Sequence, residues 1–410
     1  MAPAHKREWH GVASGRIEPQ APQSQMQTPS DSWHKVTNPR DVASPALLVY
    51  PERIEENIRR MLEITDSPER LRPHVKTHKL AELVRMQIAH GITKFKCATI
   101  TEAEMTAGCG ARDVLLAYQP VGPNVDRLVR LAKAFPKSKF STIADNAETL
   151  RRLSAAANGA AVQIEVFLDI DCGMHRSGVA PGTAATELYR LINKFPALNS
   201  GGLHAYDGHV LDRDPAERLK TCETAFAPVQ AMRIELANVA DAPSSSNASG
   251  RQGKQDLSVV AGGTPTFPIH ARRKDVECSP GTCILWDAGY RTKFPDLPFL
   301  PAALLLTRVV SKPGGNKLCL DLGHKAVASE NPHPRVEFLE LPDAKAIMHS
   351  EEHLVVETAR ADQFTVGACL YGIPWHICPT VALHSEAVVI RNGLAQEQWS
   401  ILARARKLTI

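Results

Sequence analysis

The sequence lacks several features that would assign it to a particular class of protein. Its most apolar stretch, Leu297–Leu306, is shorter than the roughly 18 residues that a membrane-spanning helix needs, and Pro298 and Pro301 interrupt it. It has no clustered run of Lys or Arg, and a formal net charge of +4 over 410 residues gives little reason to expect nucleic acid or an anionic membrane as a partner. We therefore expect a protein that binds a small molecule.

Cysteine pairs and a signal peptide are also missing. The nine cysteines stand singly and include no CxxC motif, so the sequence has neither a disulfide framework nor the spacing of a structural zinc site. The first residues are polar and basic, and the Pro/Gln/Ser-rich segment Pro19–Ser32 follows without the apolar core of a signal peptide. These features predict a cytoplasmic protein whose residues 1–32 form a disordered extension.

From Ser44 onward, short apolar runs alternate with segments of helical period, and eight such pairs precede residue 265. Several runs are continuously apolar, as is typical of strands buried on both faces. Ile54, Ile58 and Met61 form one of the helical stripes. The alternation predicts a parallel (β/α)8 barrel over residues 33–280. The predicted strands are Ala46–Val49, Leu71–Lys76, Lys94–Ile100, Asp113–Tyr118, Lys139–Asp145, Val162–Ile170, Gly201–Tyr206 and Leu257–Gly263.

The pattern changes after Pro280. Short runs broken by Gly and Pro, such as Ala303–Val310 and Lys317–Leu320, replace the helical stripes and predict an all-β domain over residues 281–410. Before the last barrel strand, Asp241–Asp256 is polar and rich in Ser and Gly, which predicts a surface loop. The predicted fold class is therefore α/β, with a barrel of the TIM type followed by an all-β C-terminal domain.

In such a barrel the reacting groups lie at the carboxyl ends of the strands. The second predicted strand ends in Arg72–Lys79, which reads RPHVKTHK and sets Lys76 between two histidines. Burial there would lower the pKa of the lysine and make a neutral, nucleophilic amine available. The alternative is a solvated basic loop, and spacing alone does not choose between the two.

Two further patterns indicate ligand sites. Gly262, Gly263 and Thr264 follow the last predicted barrel strand, where backbone N–H groups and a hydroxyl can bind a phosphate; the alternative is a plain tight turn. His376 and Cys378 stand two residues apart, so on an extended segment both side chains point to one side and can share a metal ion. The alternative is a buried Cys beside an unrelated His.

Several segments, taken together, resemble the D-threonine aldolase and D-serine dehydratase family, in which a barrel like that of alanine racemase binds pyridoxal 5′-phosphate (PLP) and a β domain follows. The resemblance spans most of the chain. The segments that carry it are Ser44–Leu47, RPHVKTHK, Cys97–Thr99 with Glu102–Glu104, Asp169–Gly178 (DIDCGMHRSG), Gly201–His209 (GGLHAYDGH), Ala261–Thr266 (AGGTPT) and Pro374–Thr380 (PWHICPT).

The resemblance implies roles for individual residues. Lys76 is the lysine that carries the cofactor, and Lys79 is not. Arg176 resembles the family arginine that hydrogen-bonds the ring substituents, and Tyr206 the tyrosine that lines the ring, although a lone Arg more simply forms a surface ion pair and a lone Tyr more simply packs in a core. Gly262–Thr264 is implied to bind the phosphate.

The resemblance also implies that the HxC pair, His376 and Cys378, is a metal site. His376 and Cys378 are implied to hold a divalent metal, for which thiolate and imidazole favour zinc, with manganese or magnesium as alternatives. Ser350–His353 resembles another family segment near the metal and the cofactor. The expected substrate is a D-amino acid with a β-hydroxyl group, and the expected assembly is a homodimer.

The branch of the family is less clear from the sequence. The HxC pair resembles the dehydratase branch, which eliminates ammonia from D-serine or D-threo-3-hydroxyaspartate. The stretch Ala205–His209 departs from the dehydratase pattern and favours D-threonine aldolase, with His204 or His209 as the base for the β-hydroxyl, although either histidine could be structural. A non-catalytic PLP carrier would not need the β domain, and an alanine racemase would need a tyrosine base that nothing marks here.

Overall fold

The computed structural model describes residues 33–240 and 257–410. The predicted extension at residues 1–32 and the predicted loop Asp241–Asp256 lie outside the described residues. No helix in the described ranges is long and apolar enough to cross a membrane.

Strands and helices are numbered along the chain. The strands are β1 (Ala46–Val49), β2 (Lys94–Cys97), β3 (Asp113–Leu116), β4 (Lys139–Ala144), β5 (Ile164–Ile170), β6 (Leu198–Ala205), β7 (Val259–Ala261), β8 (Val276–Cys278), β9 (Ala303–Ser311), β10 (Lys317–Leu320), β11 (Val336–Phe338), β12 (Lys345–His349), β13 (Leu354–Glu357), β14 (Cys369–Pro374), β15 (Glu386–Arg391) and β16 (Leu394–Ser400). The helices are α1 (Pro51–Thr65), α2 (Ala81–Ala89), α3 (Ile100–Gly108), α4 (Pro123–Ala134), α5 (Ala147–Gly159), α6 (Thr183–Ile192), α7 (Pro215–Ala240), α8 (Phe267–Ala271), α9 (Ala288–Lys293) and α10 (Ile377–Leu383).

The first architectural unit is a curled parallel sheet with the order β2-β3-β4-β5-β6-β7-β8. Amphipathic helices cover its outer face, as the stripe in α1 illustrates: Ile54, Ile58 and Met61 are buried, and Pro51 stands at the first helical position, where no amide hydrogen is lost. The α/β fold class predicted from strand–helix alternation is confirmed.

The barrel closes differently from the prediction. Leu71–Lys76 is not a strand: Leu71 and His74 form isolated parallel bridges to Cys278 and Lys96, and Val75–Thr77 is a turn of 3-10 helix. This segment joins the two edges of the curled sheet. The prediction also omitted β8, because three residues are too few to give a periodic signal.

The second unit is a mostly antiparallel sheet with the order β12-β13-β10-β9-β1-β15-β16, to which β14 and β11 add beside β9. Strand β1 pairs with β9 and β15 in this sheet, so its predicted place as the first barrel strand is wrong. All four of its residues are buried, and an apolar run of this kind suits a strand buried on both faces in either unit.

Candidate active site

A cavity of about 520 Å³ opens at the carboxyl ends of the barrel strands. The structure brings four residues predicted from the sequence into its lining and adds two that the sequence did not mark as functional. These six lining residues are Lys76, Lys96, Asp169, Arg176, His204 and Tyr206.

Lys76 lies in the 3-10 turn that follows the bridge at His74. The ring Nδ1 of His74 accepts a hydrogen bond from the backbone N–H of Lys76 at 3.3 Å, which fixes the start of the turn. Burial, and then the charges of Lys76 and Lys96, hold the pKa of His74 well below its ordinary value. Lys79 instead forms an ion pair with Glu102. Of the two lysines in the motif, Lys76 is therefore the one whose amine faces the cavity.

Three cations surround the ring of Tyr206. The guanidinium carbon of Arg176 lies 4.9 Å from the ring centroid, the Nζ of Lys96 lies 5.5 Å from it, and the Nζ of Lys76 lies 5.8 Å from it. Among the described residues, none of the three cations forms an ion pair or a side-chain hydrogen bond. This arrangement suits a ligand that carries several negative charges.

A buried carboxylate–histidine pair forms another wall of the cavity. The Nδ1 of His204 lies 2.7 Å from an oxygen of Asp169, whose other oxygen accepts a hydrogen bond from Ser177 at 2.9 Å. Burial, and then the charge of Lys96, lowers the pKa of His204. The Nε2 of His204 is buried and has no hydrogen-bond partner among the described residues, so this neutral ring nitrogen can accept a proton or a hydrogen bond from a ligand.

The glycine-rich turn after β7 packs against the same tyrosine. A Cβ atom at Gly263 would lie 3.1 Å from the Tyr206 ring, and Gly262 has a φ of +80°, a conformation that favours glycine. The hydroxyl of Thr264 accepts hydrogen bonds from the backbone N–H groups of Gly281 and Thr282 at 3.2 and 3.1 Å. Thr264 keeps its own hydroxyl proton to donate to a ligand.

A polar cluster that the sequence did not indicate supports this turn from behind. Asp207 accepts a hydrogen bond from Thr266 at 2.9 Å and lies 2.7 Å from the Nε2 of His270. Ligand atoms of Asp207, Cys222 and His270 lie within 4.8 Å of one another, close enough to hold a metal ion. Arg273 lies 2.9 Å from the other ring nitrogen of His270. Hydrogen bonds satisfy the cluster without an ion, which favours a structural role.

His209 lies apart from the main cavity. It lines a second cavity of about 640 Å³ with Cys172 and residues of α7. A Cβ atom at Gly173 would lie 2.8 Å from its Nε2, and its buried Nδ1 has no hydrogen-bond partner among the described residues. Of the two histidines proposed as a base, only His204 lines the main cavity. The role of His209 stays a prediction.

The HxC pair lies beside the lysine turn although it belongs to the other unit. The thiol of Cys378 lies 3.3 Å from the hydroxyl of Thr77, the residue after Lys76. The Nδ1 of His376 lies 2.5 Å from Glu330. Burial raises the pKa of Cys378, but the hydrogen bond to His376, the charge of His376 and the hydrogen bond to Thr77 together outweigh it, and the pKa is lowered. A thiol that ionises readily beside an imidazole is a suitable donor set for a soft divalent metal.

A buried carboxylate fixes the backbone between the two predicted metal ligands. Asp287 accepts hydrogen bonds from the N–H of Ile377 at 3.1 Å and from the N–H of Tyr290 at 2.8 Å. It thereby links the start of α9 to the HxC turn. In the other family-like segment, Ser350–His353, the side chains of Glu351 and Glu352 pair with Lys325, and a place for this segment near the metal stays a prediction.

Comparison with known proteins agrees with this architecture. Residues 49–254 match the family of the alanine racemase N-terminal domain, and residues 302–390 match a serine dehydratase domain. The chain is 30% identical to a D-threonine aldolase of an Arthrobacter species over 88% of this chain and 93% of that protein. It is 27% identical to a 3-hydroxy-D-aspartate aldolase of Paracoccus denitrificans over 89% and 93%, respectively. The structure of D-threonine aldolase from Filomicrobium marinum superimposes with a TM-score of 0.80, at 26% identity over 89% of this chain and 96% of that one.

Proposed function

Since this chain belongs to the alanine-racemase-like family that includes the D-threonine aldolases, we propose that it is a PLP- and metal-dependent lyase that cleaves D-β-hydroxy-amino acids. The proposed reaction is of the D-threonine aldolase type, which converts D-threonine to glycine and acetaldehyde. The observation that carries the proposal is the position of Lys76. It faces a cavity whose cations have no ion-pair partner among the residues that the structure describes, and it precedes Thr77, the residue in contact with Cys378.

The cavity fits an anionic, phosphorylated cofactor. Lys76, Arg176 and Lys96 supply positive charge without ion-pair partners among the described residues, and His204 presents an unpartnered ring nitrogen. Lys76 would hold the cofactor covalently, Arg176 and Tyr206 would contact its ring, and Gly262, Gly263 and Thr264 would bind its phosphate. When bound, PLP supplies an electron sink for charge that develops at the α-carbon of an amino acid.

His376 and Cys378 would hold the divalent metal, and zinc is the best match to an imidazole and a thiolate. Two protein ligands leave coordination positions open, as a metal that binds substrate requires. The metal would act as a Lewis acid that binds the substrate β-hydroxyl and makes its proton more acidic. Glu330, which contacts His376, would fix the orientation of the imidazole ring.

His204 is the better of the two candidate bases. Asp169 holds its Nδ1, and its Nε2 has no partner in the described part of the chain. Burial lowers its pKa, so the ring is neutral at pH 7 and can accept the proton of the β-hydroxyl at Nε2. His209 lines a separate cavity and would need a movement of the loop that carries Gly173 to reach the same substrate.

The dehydratase reaction is the second candidate. The HxC pair and the match of residues 302–390 to a serine dehydratase domain favour it. The relatives that align over most of the chain at 27–30% identity are aldolases, whereas a D-serine dehydratase that aligns over 85% of the chain is 24% identical. A non-catalytic PLP carrier is the third. The metal-type donor pair beside Lys76 argues against a carrier, because binding of the cofactor alone does not use it.

The branch is tested by the products formed from D-threonine. We expect purified protein loaded with PLP and zinc to release glycine and acetaldehyde, and we expect EDTA to abolish turnover until metal is restored. The measurement is mass spectrometry of the amino acid and of the derivatised carbonyl product. L-Threonine is the matched control substrate and should stay intact. Release of 2-oxobutanoate and ammonia would assign the dehydratase branch. No product from D-threonine, D-serine or 3-hydroxy-D-aspartate would assign the carrier.

A further inference from the structure

Lys96 is a second amine in the cavity. The sequence motifs do not include it, and the proposed mechanism counts its charge without assigning it a ligand atom. It lies on β2 and is 3% exposed. Its Nζ lies 5.5 Å from the centroid of the Tyr206 ring, on the same cavity as Lys76. Within the described residues, no hydrogen bond or ion pair reaches this amine. Lys96 is therefore a buried amine that no carboxylate contacts in residues 33–240 and 257–410.

Other buried cations of the chain, unlike Lys96, form ion pairs with carboxylates. Arg72 is 1% exposed and pairs with both Asp113 and Glu277, and Lys79 pairs with Glu102. This is the usual pattern, because an isolated buried charge costs several kcal/mol or more. An unpaired lysine at a cavity wall is the exception, and exceptions of this kind mark sites where a ligand completes the charge balance.

The acidic side chains whose charges act on Lys96, Asp169 and Asp207, already have hydrogen-bond partners. Asp207 contacts Thr266 and His270. One oxygen of Asp169 binds His204 and the other binds Ser177. Burial, and then the charge of Lys76, lowers the pKa of Lys96 to about 7, against the opposing effect of Asp169. The protein alone thus holds this amine in a poorly compensated state, and an anion in the cavity would relieve it.

We propose that Lys96 binds an anionic oxygen group within the cavity, together with Arg176 on the ring of Tyr206. The oxygen group is either an oxygen of the cofactor or the carboxylate of the amino acid. This inference rests on the proposed function, since it takes PLP and a D-amino acid as the ligands of the cavity. It adds a direct ligand contact at a residue outside the family-like motifs. Lys96 stands immediately before one of them, the segment that begins at Cys97.

The test compares Lys96→Met, which keeps the length of the side chain without its charge, with Lys96→Arg, which keeps the charge. Lys94→Met is the matched control, because Lys94 lies on the same strand but pairs with Glu277 away from the cavity. Two dissociation constants are measured for each variant: that of PLP, by absorbance titration after dialysis of the holoenzyme, and that of glycine, by its effect on the spectrum of the bound cofactor. Neither measurement requires turnover.

If Lys96 contacts the cofactor, Lys96→Met should weaken PLP binding about 10-fold or more, as expected for a lost charge-assisted hydrogen bond. If Lys96 contacts the substrate carboxylate, glycine binding should weaken by a similar factor while PLP binding is unchanged. Lys96→Arg should recover part of either loss. The melting temperature of the cofactor-free Lys96→Met protein should not fall, because the variant removes an unpaired buried charge; a purely structural lysine would lower it.

Both dissociation constants within twofold of those of Lys94→Met would overturn the proposal. That result can be distinguished from a failure of the proposed lyase function. A wild-type protein that binds PLP and glycine but cleaves no β-hydroxy-amino acid would refute the lyase, while the two titrations would still decide the role of Lys96.

Discussion

Asp169 determines which ring nitrogen of His204 carries a proton. A carboxylate accepts a hydrogen bond, so the contact at 2.7 Å assigns the proton to Nδ1 and leaves the lone pair on Nε2. At the residue scale the proposed base is therefore a unit of two side chains, and the carboxylate is a positioning residue.

Replacing the carboxylate by an amide tests this unit. In Asp169→Asn the amide can donate to Nδ1 and so favour the wrong tautomer, and we expect kcat to fall about 100-fold or more while PLP binding is retained. Asp171→Asn is the matched control, because Asp171 contacts the exposed His175 in a pair of similar length outside the main cavity. Steady-state kinetics on D-threonine provide the measurement, and an unchanged kcat would move the role of base to His209.

The dependence of kcat on pH is a second test of the Asp169–His204 pair. Burial, and then Lys96, lowers the pKa of His204 from its ordinary value of 6.5. The neutral ring is the active form, so kcat should decrease as the pH falls, with the midpoint of the decrease below pH 6.5. A midpoint above pH 6.5 would contradict a buried, neutral base.

Sequence reasoning identified the residues that stand in motifs and missed Lys96. The stretch Lys94–Cys97 reads KFKC, and polar–apolar alternation in a strand usually predicts a polar face toward solvent. In a barrel the second face of each strand points into the interior, and there Lys96 is buried with Tyr206. Alternation reveals that the lysines share a face, but not that the face lines a ligand cavity.

At the scale of elements, the segment Leu71–His74 closes the barrel with few backbone hydrogen bonds. The side chain of Arg72 adds side-chain contacts where backbone hydrogen bonds are few. It pairs with Asp113 of β3 at 2.6 Å and with Glu277 of β8 at 2.7 Å. The positive charge of Arg72 stabilises the closure because both carboxylates are partly buried and need a cationic partner.

Removing this cation should destabilise the fold. We expect Arg72→Met to lower the free energy of unfolding by about 3–5 kcal/mol, because Asp113 is left without its main partner and Glu277 keeps only Lys94. Lys139→Ala is the control: its ion pair with Glu165 is exposed on the lysine side, so the loss should stay below about 1 kcal/mol. Urea denaturation followed by circular dichroism compares the two, and equal losses would contradict this account of the closure.

The same elements explain which part of the fold could be predicted. Repeated strand–helix alternation was enough to predict a parallel barrel, because every strand of that sheet after β2 follows its neighbour in the chain. The residues of β1 did not indicate which of the two sheets it joins, since a strand of four buried apolar residues fits either sheet. A short bridge such as that at Leu71 and a strand as short as β8 are fixed by tertiary pairing and leave no period in the sequence.

At the scale of the whole molecule, the two units meet where the chemistry is proposed. The lysine turn comes from the barrel, and the HxC turn comes from the mostly antiparallel sheet, 301 residues later in the chain than Thr77, which it touches. Sequence spacing suggested each site separately, and only the resemblance to a known family joined them. Asp287 reinforces this junction by anchoring the backbone at Ile377.

The central claim is that the cofactor is attached to Lys76 and to no other amine of the cavity. Reduction of the holoenzyme with borohydride, followed by proteolysis and mass spectrometry, locates the attachment directly. We predict the pyridoxyl group on the peptide that contains Lys76, and its absence from that peptide in Lys76→Arg. A pyridoxyl group on Lys96 or Lys79, or unlabelled protein, would contradict the account.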